Sequence, residues 1–300
     1  MTSLNSTKSS GKALGFIVVV AAATSISFSN ILAPIVYGLG GNTETLLVFR
    51  FGSFLLVCGL WLKVQGISFV LSGRELLHCA AAGLAYTIGS GSLIAAFAFV
   101  PVSLAVLIFY TFPLITSLAE CALDRRRLAL SELACLLAAL LGLAICLGIG
   151  FGHLNLPGLV FSVLAAVGVA TSYLWSGRKL ASVQPTLKTF YMAVTGWTLA
   201  LCLTFGSGAW ALPPIELTAM ALLAAAALSF AGAFFGMFSG VHRIGASRTA
   251  MIMNLEPVIT VALAILLLGE ALTYYQGLGA ALVVAAIFAA QITAKSQATS

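Results

Sequence analysis

The chain has 300 residues, of which 61% are hydrophobic and only 7% are charged, and its formal net charge is +6. A soluble globular domain carries about 25% charged residues, so this composition excludes that class and indicates an integral membrane protein. The 14 Lys and Arg residues stand in gaps between apolar runs instead of forming one basic patch, which argues against a nucleic-acid partner.

Ten apolar runs follow one another along the chain, and a membrane-spanning helix needs about 20 such residues. A polar and flexible cytoplasmic tail, residues 1–13, precedes them, and residues 294–300 form a second cytoplasmic tail. The sequence therefore predicts an all-α integral membrane protein with ten transmembrane helices. The predicted spans 1 to 10 cover residues 14–37, 45–63, 75–98, 102–122, 130–150, 157–178, 187–205, 216–241, 247–268 and 273–293.

The positive charges predict the orientation of these spans. If the amino terminus is cytoplasmic, 13 Lys and Arg residues lie at cytoplasmic ends and none lies in the opposite loops. Cytoplasmic loops of membrane proteins carry such an excess. We therefore expect a multi-pass protein of a bacterial inner membrane with both termini in the cytoplasm.

Spans 1 and 2 contain the first candidate site residues. Pro34 lacks the amide proton that would bond the carbonyl of Asn30, so a kink at Pro34 would expose that carbonyl to a ligand or to a neighbouring helix. The hydroxyl-rich stretch around Asn30 also requires at least one face of span 1 to meet protein or water. Arg50 lies a few residues inside span 2, where it is either a counter-charge for a substrate carboxylate or for Glu256, or an arginine reaching the headgroups.

Aromatic residues deep in later spans form a second group of candidates. Such rings can stack on an amphipathic substrate, although many aromatic residues of membrane proteins belong to interfacial belts. The candidates for substrate binding are Tyr86 in span 3, Tyr110 in span 4, Tyr173 and Trp175 in span 6, and Phe230 in span 8.

Spans 4 and 9 each combine a proline with polar residues. Pro113 and Pro257 are predicted kinks, with Tyr110 and Asn254 about one turn before them. Glu256 is a candidate for binding a substrate ammonium group or for proton coupling, with a structural hydrogen bond beside the kink as the alternative. Glu120 lies near Asp124 and Arg125, so pairing at the interface is the simpler interpretation there.

Two self-alignments predict an internal repeat. A shift of 144 residues pairs the segment 100–118 with 244–262, including Pro113 with Pro257, and a shift of 147 residues pairs 23–29 with 170–176. Spans 1 and 6, and spans 4 and 9, are then equivalent, so residues 14–150 and 157–293 form two five-helix repeats. Because five is odd, the repeats are inverted, an arrangement that allows a central site to open alternately to either side.

Over essentially its whole length the chain resembles members of the drug/metabolite transporter superfamily, EamA-like family, and the most specific motifs lie in and around span 9 and at the start of span 10. The resemblance rests on residues 244–247, on Asn254 to Val258, on 267–270 and on 276–277, and the first repeat echoes it more loosely. In the first repeat, Phe112 occupies the position equivalent to Glu256, so no symmetric pair of acidic residues is expected. The resemblance implies export or exchange of amino acids, related metabolites or drugs, with YddG-type amino-acid exporters as relatives of similar size and helix count.

Other functions remain as alternatives. A proton-coupled multidrug exporter differs from a metabolite exporter in whether a carboxylate titrates during the cycle, and a channel would show no substrate saturation. Catalysis is not expected, because the three histidines lie near span ends and Asp124 is the only aspartate. We expect no metal, no cofactor, and as partners a small-molecule substrate and membrane lipid. Ladders of small residues in spans 5, 8 and 10 predict close helix packing, with a homodimer through one of them as the alternative.

Overall fold

A computed structural model describes residues 2–96, 99–100, 102–147, 155–208, 210–212, 215–268 and 273–296. These residues form helices and connecting turns, and none of them lies in a β-strand. The helices are α1 (Thr2–Gly38), α2 (Thr43–Val64), α3 (Gly73–Ala96), α4 (Val102–Phe109), α5 (Phe112–Leu123), α6 (Leu130–Cys146), α7 (Leu156–Lys179), α8 (Pro185–Gly206), α9 (Leu217–Ile244), α10 (Ala246–Met253), α11 (Leu255–Leu268) and α12 (Tyr274–Ser296).

Each predicted span coincides with one helix or with one pair of helices. Span 4 corresponds to α4 and α5, and span 9 corresponds to α10 and α11. Two further helical stretches, Leu130–Cys146 and Tyr274–Ala290, are apolar but shorter. Six stretches of the described chain are long and apolar enough to cross a membrane: Ala13–Gly38, Glu44–Val64, Leu104–Leu123, Leu156–Lys179, Pro185–Gly206 and Leu217–Ile244. The all-helical, multi-pass character predicted from composition is confirmed.

The amino-terminal segment differs from its prediction. Helix α1 begins at Thr2, so residues 2–13 continue the first helix instead of forming a flexible tail. Helix α1 also runs through position 34 to Gly38 without interruption. Gly269 and Glu270 of the family motif, and the side chain of Pro34, lie outside the described residues.

Spans 4 and 9 are interrupted where kinks are predicted. Tyr110 and Thr111 separate α4 from α5, and Asn254 separates α10 from α11. Pro113 follows as the second residue of α5 and Pro257 as the third residue of α11. A proline is tolerated in the first turn of a helix because no intrahelical acceptor awaits its nitrogen there, so each helix restarts at its proline instead of bending through it.

One compact unit comprises Met1–Thr87 and Trp175–Gly245. In this unit α1 packs against α9, and α2 packs against α8. A Cβ atom on Gly236 of α9 would lie 2.7 Å from the Cβ atom of Ala22, and one on Gly196 of α8 would lie 2.8 Å from the ring of Phe51. Glycine is therefore needed at both positions for the helices to approach so closely.

A second compact unit comprises Ile88–Leu174 and Ala246–Ser300. Helices α6 and α12 of this unit pack closely, since a Cβ atom on Gly142 would lie 2.8 Å from the carbonyl oxygen of Gly279. The small-residue ladders predicted in spans 5 and 10 thus pack against each other. Gly245, with φ of 89°, connects α9 to α10, and L side chains rarely adopt that backbone conformation.

Candidate functional site

Arg50 lies half-buried on α2, in the first compact unit. Its Nη2 atom donates a hydrogen bond of 3.1 Å to the carbonyl oxygen of Ser29 on α1, and its guanidinium carbon lies 5.4 Å from the ring centroid of Phe230 on α9. Both contacts favour a cation at this depth, because a charged donor strengthens a hydrogen bond and the aromatic face attracts a positive charge. Arg50 therefore has protein partners on two helices.

A column of aromatic rings extends along α9 from the Arg50 guanidinium, and we call it the aromatic column. Phe230, Phe234 and Phe238 stand four residues apart on one face of α9, with centroid separations of 5.9 and 5.1 Å. Tyr86 of α3 lies 5.1 Å from Phe234 in an edge-to-face arrangement. Phe51 lies 5.2 Å from Phe230. All of these rings are buried, so the column is an apolar stack inside the first unit, with the Arg50 guanidinium at its end.

The hydroxyl groups of α1 have the protein partners that the sequence requires. Ser29 Oγ donates a 2.7 Å hydrogen bond to the carbonyl oxygen of Ala226 on α9, and Ser27 Oγ donates one of 2.8 Å to the carbonyl oxygen of Ala23. Both serines are buried, which confirms that this face of α1 meets protein. The carbonyl oxygen that accepts the Arg50 hydrogen bond belongs to Ser29. The sequence predicts that Pro34 exposes the carbonyl group of the next residue, Asn30.

A smaller aromatic cluster lies in the second compact unit, at the break between α4 and α5. Tyr110 packs 6.0 Å from Phe112, and Phe112 packs 5.8 Å from Tyr173 of α7. Both tyrosines are buried. The structure thus brings Tyr110 and Tyr173 to the same phenylalanine, whose ring lies between the two predicted site residues.

The break between α10 and α11 holds the polar residues of span 9. Asn254 is 2% exposed, and its Oδ1 atom has no hydrogen-bond partner among the described residues. A buried amide oxygen without a donor is unfavourable by about 1–3 kcal/mol, so this atom is suited to accept a hydrogen bond from a ligand. Glu256 follows in the first turn of α11, half-buried, where the helix dipole favours a carboxylate.

Glu120 has a partner that the sequence did not predict. The hydroxyl group of Ser247 on α10 donates a short hydrogen bond to the Glu120 carboxylate on α5. The contact joins spans 4 and 9 near the ends predicted to be cytoplasmic. Glu120 therefore helps to hold these two helices together.

The predicted site residues are divided between the two compact units, and Trp175 of the first unit is not part of the aromatic column. Its exposed ring packs 5.7 Å from the ring of His78, away from the aromatic column. The first unit holds Asn30, Arg50, Tyr86, Trp175 and Phe230, and the second holds Tyr110, Tyr173, Asn254 and Glu256. Within the described part of the chain, no group of three His, Cys, Asp or Glu side chains could hold a metal ion.

Sequence reasoning missed Lys188, which is fully buried in the first turn of α8. Its Nζ atom donates a long hydrogen bond of 3.4 Å to the carbonyl oxygen of Ser176, in the last turns of α7. A cation is favoured at the carboxyl end of a helix, so Lys188 caps α7. Its position at a span end suggested only a cytoplasmic charge, and nothing in the sequence indicates its burial.

Comparison with known proteins gives one family and one curated relative. The EamA-like transporter family model matches residues 156–290, from α7 into α12. An uncharacterized transporter of Synechocystis sp. is 29% identical over 197 residues, a match that covers 62% of this chain and 57% of that protein. The match thus spans little more than half of that relative's length.

A solved crystal structure shares the fold. It superposes with a TM-score of 0.74 and covers 95% of this chain and 99% of the other chain, at 18% sequence identity. At that identity the likeness concerns the fold alone, and it extends over nearly the whole chain.

Proposed function

We propose that this chain, which carries an EamA-like transporter family domain over residues 156–290, is a secondary transporter that exports or exchanges small organic metabolites. Amino acids with aromatic or hydrophobic side chains are the substrates that we favour. The observation that carries the proposal is the half-buried Arg50 guanidinium at the end of the aromatic column. A fixed cation beside stacked rings suits a substrate that has a carboxylate and an apolar body.

The second unit supports the same substrate class through acceptor groups. Asn254 Oδ1 is buried and has no donor among the described residues, and Glu256 stands two residues further along the chain. Both can accept hydrogen bonds from an ammonium group.

Alternating access is supported by the recurrence of the helix breaks. Helices α4 and α10 begin 144 residues apart and end 144 residues apart, which is the shift that the self-alignment requires. Two inverted five-helix repeats would account for this recurrence, and such repeats expose a central site to one side at a time. We propose the inner membrane of a bacterium, with both termini in the cytoplasm, as the location.

Transport into liposomes tests the function directly. Purified full-length protein is reconstituted, and uptake of labelled amino acids, nucleosides and cationic dyes is measured with and without the same compound inside. We expect saturable uptake of amino acids that is stimulated by unlabelled amino acid on the other side. Saturable uptake of dyes alone, or uptake of amino acids that never saturates, would contradict the proposal.

Glu256 separates proton coupling from simple exchange. We expect Glu256→Gln to impair transport while the protein keeps its elution profile, because the amide cannot carry a charge or titrate. Glu132→Gln is the matched control, since Glu132 pairs with Arg126 at the surface at 3.4 Å. If a pH gradient drives uptake in the parent protein and not in Glu256→Gln, a proton-coupled exporter is favoured. Unchanged transport in Glu256→Gln would remove Glu256 from the mechanism.

A further inference from the structure

An open groove of about 570 Å³ runs along the surface between α2 and α8, in the first compact unit. Its walls are almost entirely apolar, and a single charged residue lies at one end. Its principal lining residues are Gly52, Gly59, Lys63, Phe69, Phe190 and Trp197.

Two glycines on one face of α2 make the groove. A Cβ atom on Gly52 would lie 3.2 Å from the indole nitrogen of Trp197, and one on Gly59 would lie 3.2 Å from the ring of Phe190. The two rings of α8 therefore rest on the backbone of α2. Leu56 and Leu60 form the outer edge of the groove and are 77% and 64% exposed. An apolar trough open along its length in this way suits a hydrocarbon chain.

The length of the groove matches one leaflet of a membrane. Gly52 and Lys63 are eleven residues apart on α2, which corresponds to about 16 Å at about 1.5 Å per residue. Half of a hydrocarbon core of roughly 30 Å is about 15 Å. The groove thus extends from the middle of the membrane to the surface that carries Lys63, the surface predicted to be cytoplasmic.

The segment after α2 closes the groove at this surface. The Tyr191 hydroxyl group on α8 donates a 2.6 Å hydrogen bond to the carbonyl oxygen of Phe69, which ties the segment to α8. Phe69 and Phe190 pack edge to face at 5.5 Å. Val70 beside them is 82% exposed, as expected for a residue that dips into the interface.

We propose that this groove binds a phospholipid of the cytoplasmic leaflet, with one acyl chain against Trp197 and an anionic headgroup at Lys63. Lys63 supplies the charge complementarity, since it is the one ionisable residue among the groove's lining residues. A polar transported substrate would find almost no hydrogen-bonding partner along these walls. The site depends only on the embedding of the chain in a membrane and stands independently of the proposed transport activity.

Quenching of Trp197 by brominated lipid tests the site. The full chain with Trp61, Trp175 and Trp210 replaced by Phe is reconstituted in phosphatidylcholine with a small fraction of lipid brominated in the far half of the acyl chain. We expect brominated phosphatidylglycerol to quench Trp197 more strongly than brominated phosphatidylcholine at the same fraction. Lys63→Gln should lower the relative affinity for the anionic lipid about fivefold, as expected for one cation near the surface.

Two further variants make the result specific. Lys179→Gln removes an exposed positive charge on the same predicted side, outside the groove, and should leave the excess quenching unchanged. Gly59→Leu should fill the groove and abolish the excess. Equal quenching by the two lipids in the parent protein, or an excess that Lys63→Gln leaves intact, would overturn the proposal whether or not Gly59→Leu folds.

Discussion

Replacement of Arg50 tests whether its guanidinium binds substrate or only holds helices together. The hydrogen bond to the Ser29 carbonyl oxygen, 3.1 Å long, contributes about 1.5–3 kcal/mol if it resembles other charged hydrogen bonds. The contact with the Phe230 ring, at 5.4 Å, adds about 0.5–2 kcal/mol. Loss of a comparable bond to a substrate carboxylate would raise KM about 10- to 150-fold.

The assay compares Arg50→Gln and Arg50→Lys in liposomes by measuring the concentration dependence of exchange. We expect Arg50→Gln to raise KM within that range and to lower the melting temperature, since both contacts are lost. Arg50→Lys keeps the charge without the planar fork, so its KM should be intermediate. Arg74→Gln removes an exposed arginine and serves as the control.

The two roles give different results. A folded Arg50→Gln protein with a KM within about twofold of the parent would refute a role in binding, since a lost charged hydrogen bond costs more than that. A lower melting temperature with unchanged KM would show that Arg50 serves only to join α1, α2 and α9.

Two stability predictions follow from packing and burial. Gly279→Ala should destabilise the protein by about 1–3 kcal/mol, because a Cβ atom there would overlap the backbone of α6, whereas Gly91→Ala, with nothing within 4 Å, should leave the melting temperature unchanged or raise it. Equal melting temperatures for the two variants would contradict this packing. Lys188→Met should not lower the melting temperature, because the lysine's hydrogen bond is long, 3.4 Å, and burial of an ammonium group is costly. A fall of several degrees would show that the cap on α7 outweighs that cost.

Hydropathy alone was sufficient to place the helices. The predicted second span, 45–63, lies inside α2 (Thr43–Val64), and the predicted sixth span, 157–178, lies inside α7 (Leu156–Lys179). Such accuracy is expected in a membrane, where every backbone polar group must be bonded within its own helix and long apolar runs have no other stable form.

The interruptions of spans 4 and 9 could be predicted only in part. Pro113 and Pro257 mark the right places, but a missing amide proton does not decide whether a helix bends or restarts. At both breaks the backbone hydrogen bonds span three residues instead of four, since the Thr111 amide donates to the Ile108 carbonyl oxygen and the Asn254 amide donates to that of Met251. That outcome depends on packing around the break, which a single sequence does not contain.

Side-chain partners were the least predictable feature. The spacing of Phe230, Phe234 and Phe238 on α9 is visible in the sequence, yet the ring of Phe51 joins them from a helix that is distant in sequence. For Lys188 the sequence suggests the wrong environment, since a cation at a span end normally faces the cytoplasm and this one is fully buried. In both cases the decisive contact joins segments more than ten residues apart.

Two close helix contacts support the proposed repeat independently of the sequence similarity. A Cβ atom on Gly236 would lie 3.2 Å from the carbonyl oxygen of Val18, and one on Gly89 would lie 3.0 Å from the carbonyl oxygen of Ala165. Gly89 and Gly236 are 147 residues apart, and so are Val18 and Ala165, the same shift that aligns residues 23–29 with 170–176. The approach of a glycine in α9 to this carbonyl oxygen of α1 therefore recurs between α3 and α7.

The contact between α2 and α8 is also consistent with the proposed repeat, because it joins two equivalent helices to each other. Phe51 meets Gly196 and Gly52 meets Trp197, and each pair is 145 residues apart, so exchange of the two proposed repeats returns each contact to itself. Inverted repeats are useful to a transporter only if the two halves can adopt each other's packing at little cost in free energy. The contact of Gly236 with Val18 and its counterpart between Gly89 and Ala165 meet that condition, because glycine stands at the equivalent position in both halves.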